Sequence, residues 1–481
     1  MAQVGWFQRE GYPWPAWAEQ QSLYDKYHHY FSGQIFGEFS ASQDAESPLM
    51  YPLKINLFRG VVETLSTALW GSFEDEELLF FRVEPKKRGE DVSKTAKANA
   101  GIAERLINAV WDGNQKNTIL MSASVSQMKY GGVYMRTRWD GKRVVVEAIP
   151  ADMCFPVWSP QNADELLVLV MAYPISLKAA QEMYGVATIP TSSHEDVLFI
   201  EEWTTRTHKI WLDNILINDT PNPYPFIPYD YIPTRRDLES FYGVSPAECL
   251  MGIQDEINKR LADVGDYLNY SAHPIRWIRD YRGDPDKDLP VGPDVLWNLG
   301  KTVNPQSPPT VGTLEAQPVP PGTFEYMSNL LGLAQDVAHT PPVAYGRDEG
   351  SQRSALTLTV RMWPLLQTIK AGRLYWTDGF QRVNDKVVWI ASHIGDASPD
   401  VDGHKVAPVW ASILPRDRMA LVEEVIRLSD AGLKAPGTAF KDLGVEDPEE
   451  EEKNVKKWIE FQAKNMVIQK GVPQKKASSE V

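Results

Sequence analysis

Apolar positions along the chain follow two rhythms, a three-to-four-residue step and a strict alternation, and the switches between them predict the elements. Leu23, Tyr24, Tyr27, Tyr30 and Phe31 keep the helical step between Trp17 and Phe31, and Gly33 stops it. From Ile55 to Gly71, Phe58, Val61, Val62, Leu65 and Leu69 form one stripe, with Asn56 placed to cap the start and Gly71 the end. The charged stretch Glu84 to Lys97 reads as a loop before a third helix around Ala103, Leu106, Val110 and Trp111, and a fourth ends near Tyr130-Gly131-Gly132. Alternation then takes over. Val133 to Trp139 and Arg143 to Ile149 flank Asp140-Gly141, a dipeptide suited to a tight hairpin. Leu166 to Tyr173, Val197 to Thr205 and Lys209 to Ile217 predict further strands.

Pro221, Pro223, Pro225, Pro228 and Pro233 then predict an extended connector, because proline withholds a backbone donor. Beyond it, Leu250, Ile253, Ile257, Leu261, Val264 and Leu268 predict a helix from Ser245 to Tyr270, capped by Ser245-Pro246 and roughly 39 Å long at ~1.5 Å per residue. A stretch rich in Pro and Gly follows to Pro321, with short strand candidates at Ile275 to Arg279 and Val295 to Leu299. Met327, Leu330, Leu331, Ala334 and Val337 predict a returning helix from Thr323 to Ala338, so two helices bracket a small insertion. After the loop His339 to Ser354, a long helix from Ala355 to Ile394 should kink at Pro364. Lys405 to Leu414 predicts a strand, a helical region begins at Pro415, and the Lys- and Ser-rich tail from Gln474 has the composition of disorder. The fold class is α+β.

The 481 residues carry 49 Lys plus Arg against 64 Asp plus Glu, a formal charge of −15, which excludes a protein that grips phosphates over its whole face. Cys154 and Cys249 are far apart, with no His or Cys at metal-ligand spacing, so neither a disulfide framework nor a zinc cluster is expected and folding in a reducing cytoplasm is. The start of the chain lacks the features of a secretory signal, and no window reaches the ~18 apolar residues of a membrane span.

The usual catalytic signatures fail. Gly300-Lys301-Thr302 resembles the end of a P-loop, but the Gly required five positions earlier is Val295. His28-His29 has no carboxylate or Cys at i+4, and HExxH, GxSxG and GxGxxG are missing. Glu201-Glu202, or Asp284 with Asp286, carry little weight as a glycosidase pair in so acidic a chain. The run Glu446 to Glu452 suits a solvated helix start. No enzyme activity, cofactor or metal is expected.

The order of parts is more informative. The helix Asn56 to Gly71, Tyr130-Gly131-Gly132 before a hairpin, and Tyr242-Gly243-Val244-Ser245-Pro246 leading to Gln254 and Asn258 come first. Thr340-Pro341-Pro342 to Gly346 and Ser354-Ala355-Leu356 opening the kinked helix follow. Together, over roughly Ser22 to Gly444, they resemble the portal proteins of tailed bacteriophages. That resemblance implies a homo-oligomeric ring, usually dodecameric, at one capsid vertex of the virion, assembled in the host cytoplasm. Double-stranded DNA would pass through it during packaging and ejection. Partners would be the terminase motor, the major capsid and scaffolding proteins, and head-completion or tail adaptor proteins, with no membrane.

On that template residues 1–244 form a wing, 245–271 and 321–338 a two-helix stem, and 272–320 a small α/β clip. Residues 339–354 form a tunnel loop, 355–415 a kinked wing helix and strand, and 416–481 a helical crown and tail. Arg347, Asp348, Glu349, Gln352 and Arg353 would face DNA, Gln254, Asn258, Lys259 and Arg260 would belong to the stem, and Arg276, Arg279 and Arg282 to the clip. An acidic wall suits such a conduit, since each phosphate contact adds affinity and slows sliding. Two rivals remain: an acidic, Trp-rich carbohydrate-active enzyme, and a capsid or tail component without a channel.

Overall fold

The computed structural model describes residues 6–8, 10–34, 54–71, 79–85, 94–162, 165–185, 196–236, 240–272, 276–279, 310–313, 319–347, 355–395, 405–413, 418–443, 451–459 and 461. The chain divides into two compact units, Met1–Ala411 and Ser412–Val481. The first opens with helices α1 (Trp14–Ser32) and α2 (Leu57–Trp70), strand β1 (Leu79–Glu84), and helices α3 (Lys94–Gly113) and α4 (Lys116–Tyr130). Asn56 caps α2 by accepting from Arg59 N, and Gly33 ends α1 in the left-handed region.

The hairpin β2 (Gly132–Trp139) and β3 (Val144–Pro150) turns through four residues rather than two. The Asp140 carboxylate accepts from Lys142 N and Arg143 N, and this Asx turn makes Gly141 alone take positive φ. Strand β9 (Tyr229–Pro233) pairs with the other side of β2, giving the order β3-β2-β9. The proline-rich connector therefore does contain a strand, and Pro233 is tolerated at its end because β9 lies at an edge.

A second antiparallel sheet runs β4-β5-β6-β7-β8, comprising β4 (Cys154–Trp158), β5 (Leu166–Ser176), β6 (Asp196–Thr204), β7 (Thr207–Leu212) and β8 (Ile215–Pro221), with α5 (Leu177–Tyr184) after β5. The expected single strand Lys209 to Ile217 is broken at Asp213, which turns at φ 51° and binds Leu198 N through its carboxylate. One face of this sheet packs Phe155, Val170 and Ile200 against Trp6, Phe7 and Trp17 from the N-terminal segment. The other packs Met171, Val197, Phe199 and Leu212 with Ala180 of α5.

Three tryptophans anchor the helical core, and each indole N–H has a buried acceptor: Trp70 on Ser124, Trp111 on Asn384, and Trp376 on Gln127. Those acceptors explain why Ser124, Gln127 and Asn384 are buried among apolar side chains. Trp111 and Trp376 flank Phe380 at 5.7 and 5.1 Å between ring centres, and Phe81 of β1 completes the cluster.

Helix α6 (Met251–Ala272) starts six residues later than expected, after a 3₁₀ turn over Glu248–Leu250. Its 22 residues span roughly 33 Å. Strands β10 (Arg276–Arg279) and β11 (Thr310–Thr313) pair antiparallel, and helix α7 (Pro321–Val337) packs beside α6. Val295 to Leu299 and Gly300-Lys301-Thr302 lie outside the described residues. The kinked helix is two helices, α8 (Ala355–Arg361) and α9 (Trp363–His393), broken at Met362. Pro364 sits in the first turn of α9, where its missing N–H costs no hydrogen bond. Strand β12 (Lys405–Trp410) pairs with β1, a partner that the charged Glu84 to Lys97 reading hid. The second unit carries α10 (Arg418–Asp430), α11 (Pro436–Asp442) and helical residues 451–459.

Candidate functional site: the helix pair, its root and the loop beyond

Two segments quoted for the resemblance meet in space. Tyr130-Gly131-Gly132 crosses Tyr242-Gly243-Val244 so closely that a Cβ on Gly243 would lie 2.0 Å from Gly131 O, and one on Gly131 2.3 Å from Gly243 O. Gly131 also has φ 82°, a conformation that side chains disfavour. Hydrogen bonds close the crossing: Thr234 N to Gly131 O at 2.9 Å, Gly243 N to the Tyr231 hydroxyl at 2.9 Å, and the Ser245 hydroxyl to Met128 O at 2.8 Å. Ser245, expected to cap a helix, accepts from Ala247 N at 3.3 Å before the 3₁₀ turn and also ties the root of α6 to the end of α4.

Further along, α6 enters the mixed domain. Gln254 is fully buried and accepts from Phe58 N at 2.8 Å, satisfying one of the free donors at the start of α2. Asn258 bonds both backbone groups of Ile55, accepting at 2.8 Å and donating at 3.0 Å. Asp255 accepts from the Tyr30 hydroxyl at 2.5 Å. Gln254 and Asn258, named as stem residues, thus act as anchors inside the subunit. Lys259 is exposed. Arg260 pairs with Glu256 at 2.7 Å and Asp263 at 3.2 Å, all partly exposed, and Tyr326 of α7 donates to the same Glu256. The pair α6 and α7 carries Asp255, Glu256, Asp263, Asp266, Glu325 and Asp336 against Lys259 and Arg260.

The same pair is rich in exposed apolar side chains, notably Leu268 (58%), Phe324 (57%) and Leu333 (52%). Beyond α7, His339 turns at positive φ, Thr340 is buried, a 3₁₀ turn covers Pro342–Tyr345, and Arg347 is exposed. Asp348, Glu349, Gln352 and Arg353 lie outside the described residues, as does Arg282. Arg276 and Arg279 are the two ends of β10, and the face of Trp277 lies against Gly312 of β11.

Glu201 and Glu202 are both buried and prove to be structural, a role that composition hid. Successive strand residues face opposite sides, so they cannot act as a catalytic pair. Glu201 binds Arg136 of β2 at 3.1 Å and His208 at 2.9 Å, joining the two sheets, while Glu202 accepts from the Tyr12 hydroxyl on the other face. Burial pushes the Glu201 carboxyl up, but His208 and Arg136 outweigh it and hold it below the usual carboxylate value. Two acids inside the apolar run Val197 to Trp203 were the available signal. A cleft of about 520 Å³ beside Trp389 and Phe226 is already ion-paired, with Lys386 on Asp230 at 2.8 Å. No group of three or more His, Cys, Asp or Glu among the described residues could hold a metal.

The first unit is thus a mixed α+β domain with a long, acidic helix pair rooted in it that carries exposed apolar side chains. The chain matches the family model "Phage portal protein, SPP1 Gp6-like" over residues 87–465, most of its length, and it belongs to that family. It is accordingly a non-enzymatic structural protein of the virion, placed at the capsid vertex and serving DNA packaging. The family works as an oligomeric ring that engages DNA and terminase. No curated protein matches the sequence. No helix among the described residues is long and apolar enough to cross a membrane.

Proposed function

We propose that α6 and α7 are the stem of the portal subunit, with residues 272–320 as its clip and 339–354 as the tunnel loop. Residues 1–244 with 355–415 form the wing, and 416–481 the crown. Twelve copies close the ring, through which DNA of any sequence slides in packaging and ejection, and the clip meets terminase and later the head-completion proteins. The observation that carries this reading is the exposed apolar set on α7, Phe324, Leu331, Leu333 and Val337, which a single chain leaves in water. A neighbouring subunit would cover it, while the acids of the pair supply a wall that repels phosphate. Arg347 and Arg353 are then the arginines of the loop, suited to transient contact with the duplex.

Particle mass in solution and electron images test the assembly. Rings with a central channel are expected for the native chain, and Leu333→Asp should yield folded subunits that do not close. Monomers alone at micromolar native protein, or intact rings from Leu333→Asp, would refute this placement of the interface.

A further inference from the structure

Lys129 on α4 is buried, yet its ammonium reaches no carboxylate directly among the described residues. It contacts His28 Nδ1 at 2.9 Å and the Tyr130 hydroxyl at 2.8 Å, and it lies over the rings of Tyr130 (4.4 Å) and Phe31 (5.1 Å). An ammonium can only donate, so the nitrogen facing it is the unprotonated one and the His28 ring is neutral in this contact. Tyr130 passes its own proton to Asp152 at 2.7 Å, so that carboxylate is reached only through the phenol.

We infer that His28 and Lys129 form an acid-released latch, which holds α1 on α4 while the pair carries one positive charge and opens when a second proton arrives. The groups facing His28 are Asp25 and His29 on its own helix, Lys129 and Tyr130 on α4, and Asp152 on the 3₁₀ turn after β3. Arg59 of α2 lies over the Phe31 ring at 5.5 Å, and Asp255 of α6 holds Tyr30 two residues away. Partial desolvation of this largely exposed ring first and the Lys129 charge second outweigh Asp152 and Asp25 and hold the imidazole below its ordinary value. The closed form therefore binds that proton less readily than the open form. Opening becomes more favourable as pH falls through about 6.5, by up to about tenfold per unit.

The latch matters because α1 joins three layers. Trp17 donates to Pro156 O of the five-stranded sheet, Asn56 at the start of α2 donates to Tyr30 O and Phe31 O, and Tyr30 donates to Asp255 on α6. Release of α1 would loosen the root of the helix pair from the wing side. It is a pH-sensitive joint far from the tunnel loop in sequence.

Amide hydrogen exchange of α1 in the assembled protein, followed by mass spectrometry from pH 7.5 to 5.0 and corrected for intrinsic rate, tests this. In the native chain the opening constant should rise as pH falls below 6.5, by at most about fivefold over the first unit for a single proton. His28→Gln keeps an acceptor that cannot titrate, and Lys129→Met removes the opposing charge, so both should flatten the profile. His28 is exposed, which lets His28→Gln fold even if Lys129→Met does not. An undiminished rise in His28→Gln would place the pH dependence in the carboxylates and overturn the latch.

Discussion

Replacing Gly243 or Gly131 with Ala should be among the most damaging small changes in the molecule. A Cβ on Gly243 would stand 2.0 Å from Gly131 O, well inside any real contact, so the two backbones must part by more than about 1 Å. Parting them breaks the Gly243 N bond to Tyr231 and strains the Thr234 N bond to Gly131, each worth about 1 kcal/mol net. Loss of packing around the crossing takes the expected cost for Gly243→Ala to about 2–4 kcal/mol. Gly131→Ala meets the same clash and adds about 1–2 kcal/mol for a side chain at positive φ. Helical Gly252 and Gly322 have open space where a Cβ would go, so Gly252→Ala and Gly322→Ala are controls expected to be neutral or to gain up to about 1 kcal/mol. Unfolding of a ring is not two-state, so the assay is hydrogen exchange of peptides spanning 128–134 and 242–258, with ring yield beside it. Equal exchange in Gly243→Ala and Gly252→Ala would refute the reasoning.

Arg136→Met should strand Glu201 as a buried, poorly paired carboxylate and cost about 3–5 kcal/mol at neutral pH, read from the denaturant midpoint of dissociated subunits. Because the folded-state values of Glu201 and Glu147 are held below the usual one, their stabilisation is complete above about pH 4.5 and is lost as pH falls through the lowered values. Acid unfolding of Glu201→Gln should consequently be shallower than that of the native chain. Gln254→Leu should cost about 1–3 kcal/mol by leaving Phe58 N unpaired, whereas Arg260→Ala, on partly exposed pairs, should change stability by less than about 1 kcal/mol. Similar losses in both would mean that the root of α6 is not anchored as described.

Amphipathic stripes were legible because burial on one face leaves a period: Phe58, Val61, Leu65 and Leu69 are all buried. Strand β9 was not, since its prolines argue against a strand until the partner at one edge is known, and β1 hid because β12 pairs with it from more than 300 residues away. The start of α6 was misplaced for a different reason. Ser245-Pro246 has the chemistry of a cap, and the Ser245 hydroxyl does accept from Ala247 N while donating to Met128 O in a distant segment, but the turn it opens is 3₁₀ and the helix starts only after it. Gln254 and Asn258 were named only as stem residues, and the sequence could not say that their partners are backbone groups of residues 55 and 58. Local periodicity carries no information about such tertiary contacts.

The charge of the chain acquires a location through these contacts. Arg260, the cation at the middle of α6, spends its guanidinium on Glu256 and Asp263, and Lys259 is left as the exposed base of the pair among the acids around it. A duplex moving along such a surface, as the proposed stem placement requires, would meet a net negative field with little to hold a phosphate. Screening confines that field to about 8 Å at physiological salt, so it acts only where the wall comes close. Repulsion of this reach centres a rod without binding it, and it asks nothing of the base sequence. If α6 and α7 are the proposed stem, a paired Arg260 among these acids would let the duplex slide, and Arg347 and Arg353 of the proposed loop would be the cations placed to touch it.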